Sequence, residues 1–209
     1  SLSILHPIST SQLISFALSS RITRPSYKSL NPFISFADPL NLNAGNPSLK
    51  PEKALLLELS HVKDFTSLSV SNSLFYREIT GLVGRVRTFL NGDTTLTRYE
   101  NISKSRAWGL ENLSTWTVSK AFKITLSSSI YQTDLQGLIN GTQVAENRWS
   151  WNSRLNQQVK WKNNWSAQLS GIYQSSQINP LGIISPYYTV DLGVKKDLGR
   201  LTINARIND

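Results

Sequence analysis

Residues 148–161 read Arg-Trp-Ser-Trp-Asn-Ser-Arg-Leu-Asn-Gln-Gln-Val-Lys-Trp. The odd positions hold Trp149, Trp151, Ser153, Leu155, Gln157, Val159 and Trp161, and the even positions hold Arg148, Ser150, Asn152, Arg154, Asn156, Gln158 and Lys160. Successive side chains of a strand point to opposite faces, so a strand here has one mostly apolar face with indoles at both ends and one wholly polar face. A helix would mix the two sets. Indoles at the ends of an apolar face suit a strand that crosses lipid between two interfaces, whereas a soluble sandwich strand gathers its bulk in the middle. The expectation is a membrane β-barrel strand.

The same period of two recurs along the chain. In 12–22, Ile14, Phe16, Leu18 and Ile22 oppose Ser15, Ala17, Ser19 and Arg21. In 53–63, Leu55, Leu57 and Leu59 oppose Glu58 and Ser60, with Leu56 blurring the pattern. In 68–79, Leu68, Val70, Leu74 and Tyr76 oppose Ser69, Ser71, Ser73 and Arg77. Further strands are expected over 105–116, 121–134, 165–177, 187–197 and 201–209, with the tail of another at 1–6. Asn91-Gly92-Asp93 is a hairpin-turn signal inside 81–101, whose arms are expected to prolong the flanking strands.

Connections near residues 7, 65, 119, 163 and 199 are short, and those over 23–52, 80–104, 135–146 and 178–186 are long. Outer-membrane barrels show this asymmetry, with tight periplasmic turns and long extracellular loops. Trp116, Trp161 and Trp165 lie beside short connections and Trp149 beside a long one, which makes these four the expected lipid-interface anchors. The fold expected is therefore all-β: an antiparallel up-and-down transmembrane barrel of about ten consecutive strands. The single expected domain is 1–209, a partial barrel domain and a sector of something larger.

Composition narrows the chemistry. There is no Cys, which leaves no disulfide, thiolate metal site or cysteine nucleophile. The absence of Met, even at position 1, and of an apolar leader at Ser1 suggests a piece of a longer precursor. No stretch approaches the ~18 consecutive apolar residues of a spanning helix. The net charge of +9 is scattered along the strands instead of forming a basic run, so nucleic acid is not expected as a partner. His6 and His61 are isolated, which argues against a metal site. There is no Gly-x-Ser-x-Gly elbow or Gly-rich phosphate loop, so neither an enzyme nor a cofactor is expected. Glu58, Glu100, Glu111, Asp134 and Asp191 are expected to line a polar lumen with Arg21, Arg77 or Arg154. Asn101, Asn112, Asn140 and Asn164 head Asn-x-Ser/Thr triplets, which are chance sequons if the host is bacterial.

Three blocks carry a resemblance. The first runs Ser20-Arg21-Ile22-Thr23-Arg24-Pro25-Ser26-Tyr27, then Leu30-Asn31-Pro32-Phe33, Asp38-Pro39 and Gly45-Asn46-Pro47-Ser48-Leu49-Lys50-Pro51-Glu52. The second is Tyr99-Glu100-Asn101-Ile102-Ser103-Lys104-Ser105-Arg106-Ala107-Trp108-Gly109-Leu110-Glu111, and the third is Pro186-Tyr187-Tyr188-Thr189-Val190-Asp191-Leu192-Gly193-Val194-Lys195-Lys196. In this order they resemble the C-terminal part of the outer-membrane β-barrel of TonB-dependent receptors.

That resemblance implies a barrel of about 22 strands, closed by a plug domain, in the outer membrane of a Gram-negative bacterium. It implies energy from the TonB complex, contact with outer-membrane lipid, a surface lipoprotein partner, and import of an iron chelate, glycan or peptide. The loop candidates for contact with ligand or plug are Arg21, Arg24, Tyr27, Asn31, Phe33, Asp38, Asn46, Tyr99 and Arg106; the alternative is a rigid loop that packs only on neighbouring loops. On the residues alone, a non-transporting barrel of adhesin or enzyme type and a soluble β-sandwich binding module stand as alternatives.

Overall fold

Alternating sequence with turn residues between the runs gives strands that pair with their sequence neighbours. The computed structural model describes residues 1–209 apart from 37, 91, 140, 141, 180, 181 and 209, with the backbone alone at 103, 138, 139 and 142–144. The long strands are β1 (Leu2–Ser9), β2 (Gln12–Thr23), β4 (Glu52–Asp64), β5 (Leu68–Phe89), β6 (Thr95–Ser119), β7 (Phe122–Ile139), β8 (Thr142–Trp161), β9 (Trp165–Gln174), β12 (Tyr187–Asp197) and β13 (Thr202–Ile207). Within the connections lie helix α1 (Tyr27–Leu30), β3 (Asn41–Ala44), β10 (Gln177–Asn179) and β11 (Gly182–Ile184). The ten long strands follow one another in chain order, each antiparallel to the next.

The register keeps like with like. Leu126, Leu155, Gly171 and Val190 stand side by side across β7, β8, β9 and β12, and the row beside it is Thr125, Asn156, Ser170 and Asp191. A slip of one residue would turn every apolar side chain to the polar side, so the hydrophobic pattern fixes the pairing. Asn163 and Asn164 both take left-handed backbone angles, φ 61° and 58°, in the turn between β8 and β9. Asn tolerates that region better than other residues with a side chain, which explains the abrupt reversal there.

The apolar face is uncovered. Trp151 is 50 % exposed, Leu74 57 % and Leu169 39 %, so no second sheet seals this side as a soluble sandwich would require. From Trp149 to Trp161 the strand advances twelve steps of about 3.3 Å, which at a tilt of about 45° rises about 28 Å, close to the apolar band of an outer-membrane barrel. The face is not uniformly apolar: Asn72, Asn112, Ser114, Ser128 and Ser153 lie on it. They bond to one another, with Asn112 Nδ2 donating to Asn72 Oδ1 at 2.7 Å, Ser114 Oγ to Asn112 Oδ1 at 2.9 Å, and the Ser128 and Ser153 hydroxyls 3.1 Å apart. Mutual bonding removes most of the penalty of turning polar groups away from water.

Three expected connections change in detail. The 135–146 loop is instead a continuation of the β7–β8 hairpin, paired through Leu135↔Glu146 to Ile139↔Thr142. Apolar burial holds it, since Leu135 is 3 % exposed; Asn140, a residue of that expected loop, lies outside the described residues. The 178–186 connection contains the β10–β11 hairpin, and 23–52 contains α1 and β3. The β5 and β6 arms do run past the sheet as expected, although Asn91 of the expected turn lies outside the described residues.

Leu126→Arg and Leu155→Arg, mid-strand on the apolar face of the full-length protein, are each expected to lose ~2–4 kcal/mol in a membrane-folding assay, and Asn156→Arg to be tolerated. Equal losses for all three would contradict the assignment of faces.

Candidate functional site

The first long connection is a docked unit built on the β5–β6 arm. Prolines 25, 32, 39, 47 and 51 restrict its backbone, and Ser26 caps α1 by accepting from Ser29 N at 3.2 Å. Its two limbs are clamped together where Gly45 N donates to Asn31 O at 2.8 Å and Asn46 N to Ser29 O at 2.7 Å. A Cβ on Gly45 would lie 2.5 Å from Asn31 O, so only glycine permits this approach.

Several bridges fasten the clamped loop to the arm. β3 adds to β6 as a parallel strand, from Asn41↔Thr95 to Ala44↔Arg98. The Asn101 side chain accepts from Lys50 N at 2.8 Å and donates to Lys50 O at 2.9 Å and Gly81 O at 2.7 Å. Glu52 Oε1 accepts from Val83 N at 2.7 Å.

Between loop and arm opens a cavity of about 430 Å³, lined among others by Lys28, Asn31, Phe33, Asn43, Arg85 and Tyr99. Arg85 and Tyr99 are cross-strand neighbours, and Arg85 Nη2 donates to Asn43 Oδ1 at 3.1 Å. The volume lies within the range of small-molecule sites, and its lining mixes rings, amides and cations.

Of the nine residues marked in the sequence, Asn31, Phe33 and Tyr99 meet at this cavity. Tyr27, the first residue of α1, is 83 % exposed. Asn46 ties the loop down, donating from Nδ2 to Tyr99 O at 3.1 Å, and Asp38 shapes the entry to β3 by accepting from Leu40 N at 2.9 Å and Asn41 Nδ2 at 2.7 Å. Those bonds, Asn41 first, hold the Asp38 carboxyl below its usual range. Arg21 stands near the end of β2 on its polar side and Arg24 follows the strand, both exposed. Lys28, Asn43 and Arg85 were not singled out in the sequence. The fold brings them together from three segments, and no local spacing announces them.

Arg106 stands apart from the loop residues. It is two residues from Trp108 on the same strand and shares that side chain's apolar face, opposite the polar one. There it meets Glu78: Arg106 Nε at 3.0 Å, Lys104 Nζ at 2.9 Å and Tyr76 Oη at 2.8 Å all reach Glu78 Oε2. This cluster lies one step beyond Trp108 and Trp149, whose rings meet edge to face at 5.2 Å. The donors, Lys104 first, then Tyr76 and Arg106, pull the Glu78 carboxyl down to about 2. At the opposite end Trp161 and Trp165 stack with parallel rings 6.0 Å apart, with Trp116 also on the apolar face and half-exposed.

The β10–β11 hairpin lies against the polar face of β7 and β8. Gln177 Nε2 donates to Tyr131 Oη at 2.6 Å and to Asn152 Oδ1 at 3.1 Å, while Ser150 Oγ donates to Ser176 O at 2.9 Å. Arg148 Nη1 donates to Ser176 Oγ at 3.0 Å. The connection is thereby folded inward over the polar wall instead of standing away from it.

The profile of the outer membrane protein beta-barrel family matches residues 1–209. The chain belongs to that family. Its place is the outer membrane of a Gram-negative bacterium. Among solved structures, the siderophore receptor PirA from Pseudomonas aeruginosa superposes with a TM-score of 0.71 at 12 % identity, over 99 % of this chain and 37 % of that one. A variant of the ferric enterobactin receptor PfeA from the same organism gives 0.65 at 17 % identity, over 99 % and 33 %. The FrpB iron transporter from Neisseria meningitidis gives 0.61 at 14 %, over 99 % and 33 %. At these identities the likeness is one of fold, and the chain spans about a third of each of those proteins. No curated protein sequence matches.

Gly45→Ala in the full-length protein is expected to release the loop from its clamp and to speed proteolytic cleavage within 24–51 about tenfold, equivalent to ~1.4 kcal/mol of local opening. An unchanged cleavage rate would refute the clamp. Because the Glu78 carboxyl is depressed in the fold, its contribution is complete above the ordinary value near 4.5 and is lost as pH falls toward 2. Denaturant unfolding from pH 6 to 2 is therefore expected to show an acid-sensitive component that Glu78→Gln removes.

Proposed function

We propose that this chain is the C-terminal sector of the barrel of a TonB-dependent receptor that takes up a nutrient across the outer membrane. The observation that carries the reading is the pairing of two features. One is a continuous ten-strand wall with an apolar outer face and a polar inner one. The other is a long connection clamped into a ligand-sized cavity at the end opposite the tight turns. A purely structural barrel has no need of such a preorganised loop, and preorganisation lowers the entropy lost on binding.

The solved proteins it resembles include receptors and transporters for siderophores and iron and a copper transporter, which supports uptake as the task. In this reading the full-length protein contains a plug domain that meets the polar face, couples to the TonB complex and recruits a surface lipoprotein. Trp116, Trp149, Trp161 and Trp165 hold the wall at the two lipid interfaces. Arg21, Arg24 and Tyr27 stand at the mouth, where they meet ligand or plug.

The test is nutrient-limited growth of the host with the full-length gene deleted, restored, or restored in a strain lacking the TonB complex, on iron-chelate, glycan and peptide sources. The expected outcome is a defect on one source, rescued only when the TonB complex is intact. Rescue without that complex, or no defect on any source, would favour the non-transporting barrel.

A further inference from the structure

We infer that the cavity between α1 and the β5–β6 arm binds an anionic ligand carried on a planar ring, and that the cargo of the barrel is an anion of this class. Calling the ligand cargo rests on the receptor reading above; the binding itself does not.

The charge of the cavity is one-sided. Lys28 and Arg85 line it and, among the described residues, no Asp or Glu does. Asn43 Oδ1 takes one N–H of the Arg85 side chain and orients it. A guanidinium presents up to five N–H groups in a planar fork suited to a carboxylate or phosphate, and Lys28 adds a flexible second charge. Phe33 stands at the rim, 81 % exposed, and Tyr99 lies beside Arg85 across the ladder. An exposed phenyl held on a clamped loop is a ready surface for stacking a ring. The side-chain amide of Asn31 accepts from Phe33 N at 3.2 Å and that of Asn43 donates to Asn41 O at 3.3 Å, so both are held in place in the lining. The Gly45 clamp holds Asn31 against the loop's second limb, so this constellation exists before ligand arrives.

A second observation points to the same charge. At the other end of the wall, beside the tight turns, a groove of about 560 Å³ crosses β8, β9, β12 and β13. Lys160, Lys195 and Arg206 line it, with no Asp or Glu among the described residues of its lining. A surface of one sign concentrates ions of the opposite sign along it.

The test uses the purified full-length receptor in detergent and three probes: phthalate, its uncharged diamide, and cyclohexane-1,2-dicarboxylate. Binding is read by ligand-observed NMR. Phthalate is expected to bind in the millimolar range, about tenfold tighter than the diamide and several-fold tighter than the saturated diacid. Arg85→Gln and Lys28→Gln are each expected to weaken phthalate about tenfold, and Arg85→Lys by less, because it keeps the charge and loses the fork. Raised salt should weaken phthalate and leave the diamide unchanged. Equal affinity for phthalate and diamide, no phthalate binding, or full affinity in the Lys28→Gln, Arg85→Gln double variant would overturn the assignment. Circular dichroism and heat-modifiable gel migration check that the variants remain folded barrels. Phthalate binding that depends on these two residues, in a protein whose deletion causes no growth defect, would keep the site and reject the receptor reading.

Discussion

The structure depends on one constraint: each backbone N–H and C=O in a wall that crosses lipid must find its partner on an adjacent strand. Hydrocarbon offers no alternative partner, and an unmet group there is expensive. Between the two edge strands, β1 and β13, strands paired in chain order meet the requirement for one another, and the apolar side chains need only face outward. A core in the ordinary sense is almost absent, since the ladder replaces it. Among the described residues the buried hydrophobics are Leu49, Val86, Ile102, Ala107 and Leu135, four of which lie near the loop-bearing end of the wall.

At that end, where water is available, the chain uses a different device. The arms of β5 and β6 project past the sheet, and the first connection pairs with β6 through β3, borrowing the ladder's own bonding for a loop. Asn101 and Glu52 complete the attachment by serving backbone groups that the arm leaves open. Rigidity in the loop therefore comes from the wall, and the cavity is a consequence of how the loop is fastened. The inward-folded β10–β11 hairpin repeats the principle on the polar side of β7 and β8, fastened through Tyr131, Ser150 and Asn152.

Much of the wall was legible because a strand writes both of its faces into consecutive residues. Trp149, Trp151, Leu155 and Trp161 announced the apolar side of β8, and Ser15, Ser19 and Arg21 the polar side of β2. The same arithmetic places Arg106 with Trp108 and Leu110 on the apolar side, away from the loop residues with which its block groups it. The 135–146 segment looked like a loop because its Gln, Gly and Asn residues mask the burial of Leu135, which only the packed arm reveals.

The sequence by itself determined the class of fold, the strand order and the face each side chain takes, since all three follow from a period of two and from the lengths of the connections. Only the tertiary structure decided that Lys28, Asn43 and Arg85 share one cavity, that Glu78 gathers Tyr76, Lys104 and Arg106, and that Asn72 answers Asn112. Apart from Tyr76 and Glu78, two residues apart on β5, those meetings join residues far apart in the chain. Their partners are chosen by the path of a long connection and by the register, of which the alternation of residues fixes only which face a side chain takes and not which residue it meets.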